Sequence, residues 1–107
     1  KISTKKGLKK MINTVTEWEF LDEMKKAVNW DRETITALFE WLESLEDDTG
    51  ETIEFDPVGL RCSWMEHDSL QAFNKDFGGE FQTIDELRDH TQVIEVTGNN
   101  KILVQEF

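Results

Sequence analysis

The residue types that most often carry chemistry are sparse in this chain. It holds one cysteine, Cys62, and two histidines, His67 and His90, at unrelated spacing. Zinc sites need three or four ligands, usually as close pairs, and this pattern does not supply them. A Cys62–His67 nucleophile pair is disfavoured too, because five residues of strand and turn would hold the side chains apart. Cys62 is expected to point inward from a strand as a small buried hydrophobe. Glu66-His67-Asp68 has the residue types of a catalytic or metal site. Simpler roles are available: Asp68 as a helix N-cap, Glu66 and His67 as turn residues. GxGxxG, Walker, HExxH, GxSxG and EF-hand patterns are all missing from the sequence. The expectation is a protein that is not an enzyme and uses no metal or cofactor.

The acids are different, because they break a local rule. Glu43, Glu46, Asp47 and Asp48 crowd the C-terminal end of an expected helix, and Glu51, Glu54 and Asp56 continue the sign. The helix dipole is negative there, so each misplaced acid costs up to roughly 0.3–1 kcal/mol when little screened. Glu40, Glu43 and Asp47 recur at three and four residues and so share one face. That face presents a carboxylate roughly every 5–6 Å, against a phosphate every ~3.4 Å along one strand of a nucleic acid. Such a row suits a groove built for phosphates. Glu40, Glu43, Glu46, Asp47, Asp48, Glu51 and Glu54 are the expected partner-binding residues; the competing account is a solvated face screened by salt.

Composition supports a binding role. Formal net charge is −11 over 107 residues, and five of the 12 basic residues (Lys1, Lys5, Lys6, Lys9 and Lys10) precede any acid. The rest of the chain carries all 23 acids and seven bases. That body should repel nucleic acid and anionic membranes. Its electrostatic complement is a basic protein, a nucleoprotein complex, or a divalent cation. No apolar run reaches the ~20 residues of a membrane span, and the basic start lacks the apolar stretch of a secretory signal. With one cysteine, the reading is cytoplasmic.

The elements that must position these residues follow from spacing. Residues 1–13 lack periodicity and read as a flexible basic arm; residues 14–107 read as a single acidic domain. Thr16-Glu17-Trp18-Glu19 is a capping box that opens a helix over 17–28. A second helix, 31–47, carries the stripe Ile35, Leu38, Phe39, Leu42 and Leu45, with Asp31 as N-cap and Gly50 as stop. Trp18, Trp41 and Trp64 are expected in the core, and Trp30 at the joint of the two helices. A short strand is expected within Glu51–Asp56. The alternation Val58, Leu60, Cys62, Trp64 predicts the main strand. Two short helices follow, at 68–77 and from the capping box at Thr83. Val93–Val96 and Ile102–Phe107 form a hairpin around Thr97-Gly98-Asn99-Asn100. The order α-α-β-α-α-β-β predicts an α+β fold: an N-terminal helical pair, then a three- to four-stranded antiparallel sheet with two short helices.

Residues 35–107 resemble a family of small acidic proteins encoded by bacteriophages and prophages. The resemblance rests on Ala37–Glu43, Glu54–Cys62, His67–Leu70, Phe73–Gly78, Thr91–Val96 and Ile102–Phe107. It implies residence in an infected bacterial cell and a counter-defence role of the anti-CRISPR or anti-restriction type, occupying a nucleic-acid site by mimicry. The alternative is a structural or regulatory phage module acting through self-association or an apolar patch.

Overall fold

The computed structural model describes residues 9–10, 15–51 and 53–107. The fold is α+β, with helices first and a three-stranded antiparallel sheet. Of the expected arm, only Lys9–Lys10 falls within the described residues. They form strand β1, which pairs antiparallel with β2 (Glu54–Phe55), placing Lys9 opposite Phe55 and Lys10 opposite Glu54.

Helix α1 (Glu17–Ala27) starts at the expected capping box: the Thr16 hydroxyl accepts from the Glu19 N–H at 3.1 Å. Helix α2 (Arg32–Thr49) ends at Gly50, whose φ of 72° is left-handed and cheap only for glycine. Asp31 holds the N-cap position without making the capping bond. Its carboxylate instead contacts Lys101 Nζ at 2.9 Å and accepts from Asn99 at 3.0 Å.

The predicted main strand is corrected. Pro57–Ser63 is a helix, α3, and the strand β3 is Trp64–His67. Proline at a first helical position is preset for the turn that follows Asp56. In a helix the alternation puts Val58 and Cys62, four apart, together on the exposed side and Leu60 on the other. Leu60 and Trp64, four apart, share one side, and both pack into the core. Cys62 is consequently exposed rather than buried.

Helix α4 (Leu70–Phe77) is capped by Ser69, which accepts from the Ala72 N–H at 3.0 Å, and not by Asp68 as expected. It closes at Gly78. Helix α5 (Ile84–Arg88) begins at the Thr83 capping box. Strands β4 (Val93–Glu95) and β5 (Ile102–Gln105) form the expected hairpin, with positive φ at Gly98 and Asn100.

Sheet order is β3-β5-β4, all antiparallel. Trp64, Ile94 and Leu103 face α1 and α2, joining Phe20, Met24, Ile35, Leu38 and Leu42 in one core. On the other face Val93, Ile102 and Val104 pack with Leu70 and Phe73 of α4 and Leu87 of α5. Trp64 is in the core as expected, and Trp41 and Trp30 are half-buried against it. Trp18 is 73% exposed, which overturns its core assignment. Helix α1 turns Phe20, Leu21 and Met24 inward instead, leaving Trp18 on the open side.

A polar clamp fixes the N-terminus of α2 to the sheet. Glu66, expected in a turn, lies in β3 and accepts from the Asp31 N–H at 3.1 Å and from the Thr34 hydroxyl. Lys101 sits 3.7 Å from Glu66 and 3.6 Å from Asp68. Replacing Glu66 with alanine strands the buried Thr34 hydroxyl and should cost about 1–3 kcal/mol in urea unfolding. Asp68→Ala, at an exposed site, should stay within about 0.5 kcal/mol of wild type.

Candidate functional site

Helix α2 presents the expected acidic row. Glu40, Glu43 and Asp47 are exposed, as are Asp48 and Glu51 just beyond. The last turn of α2 contains no basic residue. None of these five carboxylates is ion-paired with another described residue. The Glu43 carboxyl is held above its ordinary 4.5, first by desolvation and then by Glu46, Asp47, Glu17 and Glu40. Negative charge is therefore concentrated enough for its members to feel one another.

Two expected contributors are not surface groups. Glu46 is only 2% exposed, and its Oε2 accepts from the Ile53 N–H at 2.6 Å. It ties the segment after Gly50 back onto α2, so it does not offer charge to a partner. Its position carried the signal: Glu46 lies four residues after Leu42 and eight after Leu38, at the end of the apolar stripe. Glu54 is half-buried in β2. Glu17 is the contributor that spacing did not reveal, because α1 brings it beside Glu43 only in three dimensions. Trp18 follows it directly, and an exposed tryptophan is a favoured anchor in protein interfaces.

The other expected chemistry lies elsewhere. His67 is buried in β3, with its ring edge-on to Phe73 and Phe77 at centroid distances of 5.1 and 5.6 Å. Burial pushes its imidazole below the ordinary 6.5, against the opposing charges of Asp76, Asp68 and Glu66. His67 and Cys62 both line a cleft beside α4, while His90 contacts Phe81 and Phe107. Among the described residues, no group of three or more His, Cys, Asp or Glu is placed to hold a metal ion. No helix among them is long and apolar enough to cross a membrane.

No family model, curated protein or solved structure matches this chain.

Two titrations check this electrostatic picture. Glu43 binds its proton more readily folded than unfolded, so its contribution to stability falls as pH rises from about 4.5 through the raised value. Glu43→Gln should therefore stabilise the protein at neutral pH, by about 0.2–0.5 kcal/mol for removing a like-charge neighbour on a helix, read by urea unfolding. His67 has the opposite sign. The unfolded chain takes up its proton near 6.5 and the folded chain resists, so stability is lost as pH falls below 6.5. His67→Leu should flatten that loss in the same unfolding series, and the native imidazole carbon shifts should titrate below 6.5.

Proposed function

We propose that this protein is a non-enzymatic binding factor that docks an acidic face, formed by α2 and the start of α1, onto a basic nucleic-acid-binding site of another protein. The observation that carries the reading is the row Glu40, Glu43 and Asp47, exposed and without an ion-pair partner among the described residues. Carboxylates held together against their mutual repulsion lower stability, and a basic groove would relieve that repulsion on binding. The helix supplies regular spacing on a rigid support. Trp18 supplies apolar contact area next in the chain to Glu17.

The proposed partner is a basic protein or nucleoprotein complex that handles nucleic acid. On the resemblance of residues 35–107 to small phage proteins, we read that partner as a host defence system of the CRISPR or restriction type, met in the cytoplasm of an infected bacterium. Inhibition would be stoichiometric, by occupation of the phosphate-binding groove. The other reading, a structural or regulatory module acting through apolar contact, draws on exposed Met65, Phe77 and Phe107.

Salt separates the two. Charge-driven docking weakens as ionic strength rises, whereas apolar association persists. Capture of partners from a bacterial lysate should recover a basic nucleic-acid-handling complex at low salt and release it at high salt or on adding DNA. Reversing Glu40, Glu43 and Asp47 to lysine should abolish that capture while leaving the unfolding midpoint as high or higher. Trp18→Ala should weaken it by about tenfold or more without destabilising the fold. Capture that survives both high salt and the triple reversal would transfer the function to the apolar surface.

A further inference from the structure

On the sheet face opposite α2, the layer formed by α4 and α5 does not reach the end of β3. The gap is a cleft of about 410 Å³ between α3, α4 and the β3–β5 pair. Its walls include Met65, Phe73, Phe77, Val104 and Phe107. Three of these are well exposed: Met65 at 51%, Phe77 at 58% and Phe107 at 65%. Phe73 organises the aromatic wall, with ring centroids 5.0 Å from Phe77 and 6.2 Å from Phe107.

Arg61, Ser63, Gln105 and Glu106 complete the lining, and one polar side chain is buried within the aromatic wall itself. The His67 side chain is 2% exposed, lines the cleft, and has no hydrogen-bond partner at Nε2 among the described residues. The Asp76 carboxylate lies 3.8 Å from Nδ1 and favours the tautomer with the proton there. Nε2 is then a buried acceptor without a donor, a state that native structures rarely leave uncompensated. A concave site with an aromatic wall, one buried polar group without a partner and polar side chains around it has the composition of a small-molecule site, and its volume lies within the usual range for one.

We propose that this cleft binds a small aromatic molecule bearing an O–H or N–H donor, which reaches the covered His67 Nε2 as the exposed Phe77 ring turns aside, with the ligand ring among Phe73, Phe77 and Phe107. A phenol or an indole is the simplest member of the class. The site is separate from the acidic face, because the sheet lies between them.

The pair p-cresol and toluene tests this directly, since the two differ by one hydroxyl. Each is titrated into the full chain and followed by NMR at His67, Phe77 and Phe107. A second readout is the alkylation rate of Cys62, the single cysteine, which lines the same cleft. Saturable binding of p-cresol is expected, about tenfold tighter than toluene, with slower Cys62 alkylation. In His67→Leu the preference for p-cresol should vanish while toluene still binds. The wild-type comparison decides the matter even where that variant folds poorly. Equal affinities for the two compounds, or no saturation by either, would overturn the proposal. So would Cys62 protection that grows with protein concentration alone, which would assign the cleft to a second copy of the chain.

Discussion

Strand β5 is the part on which the other layers depend. Ile102, Leu103 and Val104 are buried in succession, alternating between the two faces of the sheet. Leu103 closes the core under α1 and α2, while Ile102 and Val104 close the one under α4 and α5. Each such side chain is worth about 1.5–3 kcal/mol of burial, and β5 also supplies the hydrogen-bonding partners of both β3 and β4. A sheet of three short strands with helices on both sides has little redundancy. Removing the central strand would leave β3 and β4 unpaired between the two helical layers.

The clamp at Lys101 sets the direction of α2 relative to that sheet. Asp31 and Glu66 hold one end of the helix through Lys101, Asn99 and Thr34. The hydrogen bond from Lys101 holds the Asp31 carboxyl below its usual range. Eighteen residues of helix then carry the other end roughly 27 Å away. At the clamped end an acid near the positive pole of the dipole is matched by a cation, as electrostatics prefers. At the far end acids meet the negative pole without a basic residue in the last turn. The same helix thus obeys and breaks one rule at its two ends, and the breaking end is the one held out in solvent.

Much of this was legible in the sequence because it depends on local geometry. Both capping boxes, the helix stops at Gly50 and Gly78, the apolar stripe of α2 and the terminal hairpin all follow from residues within a few positions of each other. What misled was a period that two structures share over a short span. Val58, Leu60, Cys62 and Trp64 alternate like a strand, yet Pro57 starts a turn of helix and only Leu60 and Trp64 need to face inward. The candidate acids split for a similar reason. Glu40, Glu43 and Asp47 fell on the open side, whereas Glu46 continued the buried stripe and found the Ile53 N–H. Glu17 and the His67 cleft were invisible, since both depend on contacts between segments far apart in the chain. The exposure of Trp18 was likewise a choice between two sides of α1 that composition does not rank.

The two surfaces differ in what they ask of the solvent, and this makes their roles separable. The α2 face is exposed, charged and supported by a rigid helix; salt acts on it at range, and partial desolvation together with its neighbours' charges raises Glu43. The aromatic wall of the cleft holds one buried imidazole, so salt has little hold on that contact, while acidification acts through His67. Sheet and core lie between them, and neither surface borrows a residue from the other. Carboxylates that repel one another destabilise the fold by their own proximity, and a buried acceptor without a donor does the same. A small domain with few layers has limited stability to spare for such features. As proposed, each is relieved by something outside the chain, a cationic groove for the first and a hydrogen-bond donor for the second.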